Sequence, residues 1–260
     1  MNSCQTIKLS LCIFMLSTFM EIPLHAESYS EQLQNGLRLS YRHWNNERKI
    51  FLGFTHQEFR EKEFRGRIAM LETQVNVKPD GEENRRKSLW YALPSGKPLE
   101  YLEEDLGAGI RIVNSYQANK IITKLRQGDK TIALEIKLKD KPSVSFELLL
   151  PFLRKNLEQI LARDKFLFTL YLPSLAIDLE NSALPRSMSL ILMRIRNQET
   201  VTWKSGLGNR RAVWLEIFPD SMMLRTLLPK KKSHFRFLVE LEGPRHILQF
   251  EEGGNVYTLT

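Results

Sequence analysis

The sequence predicts a mainly β protein, an antiparallel meander forming a strongly curved sheet or open barrel with one amphipathic helix packed on it. Three observations carry this expectation. Apolar residues recur at every second position through most of the chain, which is the period of a strand with one wet face. The segments so marked follow one another through short connections, which suit antiparallel neighbours, whereas parallel pairs need a long crossover. One stretch only, 146–163, changes to spacings of three and four.

The chain opens on a leader. Met1 to Ala26 has a polar start with Lys8, an apolar run from Leu9 to Met20 and the small-residue end Leu24-His25-Ala26, the layout of a secretory signal peptide. The run is shorter than the roughly 20 residues a membrane-crossing helix needs. Cys12 follows bulky Leu11 inside that run, which argues against a lipidated cysteine. Both cysteines, Cys4 and Cys12, fall in the leader. Cleavage near Ala26 would leave 27–260 as a single exported β-rich domain of 234 of the 260 residues, without thiol or disulfide. That length supports a core without covalent staples. The mature chain also has no Asn-x-Ser/Thr sequon, so the expected location is a bacterial periplasm or exterior rather than an animal secretory route.

Strands are expected near 37–44, 48–54, 66–77, 86–92, 98–104, 109–117, 120–126 and 131–139. A second set is expected near 165–172, 187–196, 199–204, 211–218, 222–227, 235–241 and 245–250. Thr131 to Lys139 is the clearest, with Ile132, Leu134, Ile136 and Leu138 on one face. Gln127-Gly128-Asp129-Lys130 supplies the hairpin turn before it, and Asp80-Gly81 another. Gln57 to Arg65 fits either a short charged helix or a strand edge. Pro173 to Arg186, punctuated by Pro173, Asn181-Ser182 and Pro185, reads as a loop. Its Leu175, Ile177, Leu179 and Leu184 suit packing over the core, or a lid or membrane-touching tip.

The helix is expected between these sets. Phe146, Leu149, Leu150, Leu153, Leu157, Ile160 and Leu161 build one apolar face. Pro151 suits a first turn, so the regular helix should begin at about that residue. In a β protein such a face must be buried against the sheet.

Chemistry-bearing motifs are few, and no catalytic, cofactor-binding or metal-binding residue is assigned. His43, His56, His234 and His246 lack the spacing that puts ligands on one helical face. Ser205 lacks the glycine two places earlier that a nucleophile elbow uses. Gly107-Ala108-Gly109 precedes a strand rather than opening a helix, so it presents no helical amides to a phosphate. In Glu103-Glu104-Asp105, only Glu103 and Asp105 share a strand face; paired carboxylates of this kind serve glycoside hydrolysis, but a solvated strand end explains them more simply. Trp44, Trp90, Trp203 and Trp214 all fall in expected strands, as core or cavity lining.

The formal charge is +8, and the leader, with one Lys and one Glu, does not change it. A basic exported protein is drawn to anionic partners; the plainer reading is solubility. Arg85, Arg86, Lys87, Arg210, Arg211, Lys230, Lys231 and Lys232 form three basic clusters at expected turns or strand starts. Gathered on one rim they would make a patch for an anionic envelope component, with peripheral membrane contact. Kept apart, they are solvated charge that also protects sheet edges. No specific nucleic acid is expected as partner of an exported chain.

Three stretches carry a family likeness. They are Trp90-Tyr91-Ala92-Leu93-Pro94-Ser95-Gly96-Lys97-Pro98-Leu99; the helix around Leu150 to Ile160 running into Phe166-Leu167-Phe168-Thr169-Leu170-Tyr171-Leu172; and Phe235 to Leu241 followed by Gly243-Pro244-Arg245-His246-Ile247-Leu248. Across most of 37–252 the chain resembles a family of exported β-rich domains of unknown function from Gram-negative periplasms. The resemblance implies compartment and fold and brings no catalytic residues.

The leading functional expectation is a non-enzymatic exported protein without cofactors, whose apolar sheet interior binds a lipid-like or other hydrophobic molecule. Two alternatives stand beside it. One is an envelope-assembly or protein-interaction module without a small ligand; the other is a hydrolase using a carboxylate pair.

Overall fold

The computed structural model describes residues 34–260 except 118, 139–142, 181–185, 206–207 and 229. The expected leader, its end at Ala26, and Lys139, Asn181, Ser182, Leu184 and Pro185 lie outside the described residues.

The first half is a meander of β1 (Arg38–Asn45), β2 (Ile50–Phe64), β3 (Arg67–Val77), β4 (Glu83–Ala92), β5 (Lys97–Asp105), β6 (Ile110–Gln117), β7 (Lys120–Gln127) and β8 (Lys130–Lys137). The second half begins with β9 (Ser143–Ser145), a 3-10 turn (Phe146–Leu148), α1 (Leu149–Leu161) and β10 (Phe166–Tyr171). It continues with α2 (Pro173–Glu180), β11 (Leu190–Ser205), β12 (Gly208–Pro219), α3 (Met222–Leu227), α4 (Lys230–Ser233), β13 (Phe235–Glu240), β14 (Ile247–Glu252) and β15 (Asn255–Leu259). All fifteen strands form one sheet, from β8 stepwise to β1, then β15 stepwise to β9. The seam is the antiparallel β1–β15 pair, with Tyr41 opposite Leu259 and Asn45 opposite Asn255. Every pair is antiparallel except β9–β10, which the crossover helix α1 makes parallel.

The sheet is open, with β8 and β9 at its edges, yet it is curled. Thr123 Oγ1 on β7 lies 2.8 Å from Tyr171 Oη on β10, although twelve strand-to-strand steps separate β7 from β10 along the sheet. Only strong curvature brings them together. What fills the curl is α1. Leu149, Phe152, Leu153, Leu157 and Ile160 share one buried cluster with Met70, Leu89, Tyr91 and Tyr101 of the first half and Phe168, Met193, Leu215 and Phe237 of the second. The face expected from three- and four-residue spacing is the face that is buried. The regular helix begins at Leu149, two residues before Pro151, because the 3-10 turn has already started the coil.

Several expectations are corrected. Gln57 to Arg65, open between helix and strand edge, is strand up to Phe64, where it continues β2 in the interior of the sheet, with Gln57 and Phe59 inward and Glu58 and Arg60 outward as an ion pair of 2.7 Å. The expected strands 187–196 and 199–204 are one strand, β11, whose pairing slips between Asn197 and Thr200. Residues 222–227 are the helix α3, started by Ser221, whose hydroxyl accepts the Leu224 amide, and tied back by Arg225 Nε to the Pro219 carbonyl at 2.8 Å. A Ser followed by good helix formers was the overlooked signal. The expected loop at 173–186 begins with the helix α2, in which Pro173 takes the first-turn position that suits proline and the Ala176 amide bonds the Leu172 carbonyl. β15 was not expected at all.

Candidate cavity

Strand registers divide the molecule into two ends. Asn45 faces both Ile50 and Asn255, Val77 faces Phe54 and Glu83, and Asp105 faces Arg85 and Ile110. Phe235 faces Ile217 and Glu252. These positions trace one end, the upper rim, and beneath it the curled sheet holds a cavity of about 310 Å³. A narrower recess of about 80 Å³ shares Gln74, Lys87, Tyr101, Phe146, Glu147, Phe250 and Glu252 with it.

The cavity arises from a gradient along the inward face of several strands. Toward the lower end that face is apolar: Phe59 on β2, Met70 on β3, Leu89 and Tyr91 on β4. Toward the rim the same faces become polar: Thr55, then Gln74 and Asn76, then Lys87 and Arg85, then Glu103 and Asp105, then Glu252 on β14. α1 fills the apolar end. Polar side chains cannot pack against it without partners, so the rim end stays open, floored by Phe146, Leu149, Leu150, Phe235, Phe237 and Phe250. The expected apolar interior is thus corrected to a mixed one.

Much of the polar wall is satisfied internally. Glu72 accepts from Gln57 Nε2 at 2.6 Å, Gln74 Nε2 at 2.7 Å and Tyr91 Oη at 2.8 Å. Arg85 donates to Asp105 at 2.9 Å and lies 3.4 Å from Glu103, which accepts from Tyr101 Oη. The Arg85 guanidinium, with the Ala108 amide, holds the Asp105 carboxyl below its ordinary range. Glu147, at the start of the helical segment, accepts from Asn114 Nδ2 and Tyr116 Oη. Burial nevertheless raises its carboxyl above the ordinary value, because those bonds only partly offset desolvation. Burial likewise raises Glu252, against the lowering effect of Lys87 and Arg85.

Two charged side chains differ from the other charged ones. Lys87 and Glu252 both line the cavity, and among the described residues neither side chain forms a hydrogen bond or ion pair. They remain free to meet something in the cavity. This gives a pH prediction: Glu252→Gln should melt above the wild type at neutral pH, because the raised carboxyl favours folding only while protonated. That contribution is complete below the ordinary glutamate value of 4.5 and is lost as pH rises through the higher folded value. The advantage of the Gln variant should therefore close as melting is followed into acid. Equal melting at pH 7 would show that the carboxyl is fully hydrated.

The sequence-derived basic residues do not meet on one rim. Arg85 and Lys87 point into the cavity, while Arg86 points outward to Glu83 at 2.7 Å, as alternation along β4 requires. Arg210 bonds Glu240 at 3.1 Å and Arg211 bonds Glu242 at 3.3 Å, both at the lower end, where Ala212 faces Glu240. Lys230, Lys231 and Lys232 form α4, which enters β13 at the upper rim. Six residues of β12, roughly 20 Å of strand, separate Arg211 from that rim.

Glu103 and Asp105 are not a solvated strand end; they share the cavity wall, as their common strand face allows. Both engage Arg85, whose guanidinium holds Asp105 ionised and ties the two carboxylates to one cation. The tryptophans line no wall of this cavity. Trp44 is exposed, Trp90 packs on Phe64 outside the curl, and Trp214 lies under Arg236 with the guanidinium 4.5 Å from its ring. Among the described residues no group of three or more His, Cys, Asp or Glu is placed to hold a metal ion. No helix among them is long and apolar enough to cross a membrane. No family model matches this chain, and no curated protein matches it.

Proposed function

We propose that this chain is a non-enzymatic binding protein, working after export in the periplasm or outside the cell, whose cavity takes a small amphiphile. The observation that supports the reading is the pairing of an apolar floor with two oppositely charged lining side chains, Lys87 on β4 and Glu252 on β14, that among the described residues are neither hydrogen-bonded nor ion-paired. An apolar part would lie on Phe146, Phe235 and Phe250, while a polar group accepts from Lys87 and donates to Glu252. A volume of about 310 Å³ is at the small end of ligand sites, so a compact amphiphile fits better than a long-chain lipid.

Two measurements test it. Native mass spectrometry of protein taken from an envelope fraction should show a co-purified small molecule. Anilinonaphthalene sulfonate, an apolar ring system with one anionic group, should bind the folded protein. Lys87→Met should weaken that binding roughly ten-fold or more, the worth of a charge-assisted hydrogen bond, with the melting temperature unchanged. Empty protein together with equal probe binding by both forms would overturn the proposal.

A further inference from the structure

Seven large apolar side chains stand exposed among the described residues: Trp44, Ile50, Ile68, Leu106, Met188, Met222 and Met223. Single exposed apolar residues are ordinary on any surface, and it is their placement that carries information. Trp44 and Ile50 flank the turn joining β1 and β2, and Leu106 begins the turn joining β5 and β6. Met188 lies in the 3-10 turn Arg186–Ser189 that leads into β11, and Met222 and Met223 open α3 after β12. By strand register all six belong to the upper rim, around the cavity mouth. Only Ile68, opposite Glu63 beside the β2–β3 turn, lies at the lower end.

We propose that the upper rim is a docking surface for an anionic phospholipid bilayer. Separate apolar tips spaced around a mouth suit a deformable layer into which each dips independently, whereas a protein partner or a second copy would meet a continuous patch. Met222 and Met223 are the most prominent, 77 % and 66 % exposed. Beside them, the chain continues into α4, whose sequence Lys230-Lys231-Lys232 adds three positive charges. Exposed Arg48 and Lys49 immediately precede Ile50 in the same way. Apolar tips flanked by basic residues are the pattern of proteins that lie on anionic membrane interfaces, where insertion and headgroup attraction act together. The inference stands independently of what the cavity holds.

The test is co-sedimentation with vesicles of phosphatidylcholine alone and of phosphatidylcholine mixed with phosphatidylglycerol. The wild type should bind the mixed vesicles and bind less as salt rises past about 0.15 M. Met222→Asp with Met223→Asp should weaken binding about ten-fold or more, and Lys230→Gln, Lys231→Gln and Lys232→Gln together should also remove most of its salt dependence. Ile68→Asp, at the lower end, should bind as the wild type does. All three variants change exposed or rim positions, and equal melting temperatures confirm that they are folded. Absence of wild-type binding, equal binding by the Met222/Met223 variant, or equal loss in Ile68→Asp overturns the proposal. So does a wild-type dimer in light scattering that the Met222/Met223 variant converts to monomer, since the rim would then be an interface between copies.

Discussion

Leu157→Asp should leave no cooperatively folded protein at neutral pH. Leu157 is 1 % exposed and belongs to the cluster in which α1 meets strands of both halves of the sheet. A carboxylate there enters a wall of leucine, phenylalanine and methionine, with buried Arg154 one turn earlier on the helix as the one cation on that face. Its desolvation costs several kcal/mol even after relaxation, and the lost leucine packing adds about 2–5 kcal/mol. A domain of ordinary stability has about 5–15 kcal/mol in total, so the substitution removes most or all of it. Leu157→Ala keeps the test graded: the same packing loss without the charge should lower the melting temperature by roughly 5–15 °C. Gln159→Ala, on the exposed face of the same helix, should change it little. If Leu157→Asp melts with the wild type in circular dichroism, α1 does not hold the two halves together.

The same helix shows which parts of the fold were readable. Its spacing named the buried face because a helix with one wet side must repeat at 3.6 residues, and the flanking sheet could only accept that face. β8 was equally plain, since Leu134 and Ile136 are buried between exposed neighbours. Elsewhere the period-two signal was ambiguous. In β2 both faces carry polar residues, Gln57 inward and Glu58 outward, so alternation faded although the strand did not. Residues 222–227 are too short a run to show a helical period, and the decisive local facts are the Ser221 cap, the helix formers after it and the Arg225 tether, which no periodicity reports.

The cavity was legible in its parts but not as a site. Alternation puts Glu103 and Asp105 on one strand face, and Arg85 and Lys87 share the corresponding face of β4. What one sequence could not show is that these faces are inward. The clue lay in their continuity with core residues: Met70 with Glu72, Gln74 and Asn76; Leu89 with Lys87 and Arg85; Tyr101 with Glu103 and Asp105. A core-facing set that turns polar toward one end of several successive strands marks a space the core does not fill. Composition treats those residues as surface, which is why the basic clusters read as one candidate patch while the fold sends Arg85 and Lys87 inward and Arg86 outward.

Gly53→Ala should be the most damaging single-methyl change in the sheet. Gly53 has φ +120°, a conformation L-residues rarely adopt, at the point where the β1–β2 pairing slips between His43 and Trp44. A Cβ there would lie 1.9 Å from the Val77 carbonyl oxygen and 2.9 Å from its carbon, so it meets backbone rather than a side chain that can swing away. Relief requires β2 and β3 to part where Phe54 pairs with Val77. Backbone strain of about 1–3 kcal/mol and a forced displacement of about 1–3 kcal/mol together should lower the melting temperature by roughly 5–20 °C. Next to this contact, Thr55 donates to Asn76 at 3.0 Å, and both line the cavity. Amide exchange should therefore accelerate first at Thr55 and Asn76, and probe binding should weaken before the fold is lost. Gly66→Ala isolates the cause, because Gly66 also has positive φ, +79°, but a Cβ there has nothing within 4 Å. If the two alanine variants melt together, the close approach of Gly53 to Val77 carries no energetic weight, and the β1–β2 bulge does not shape the cavity mouth.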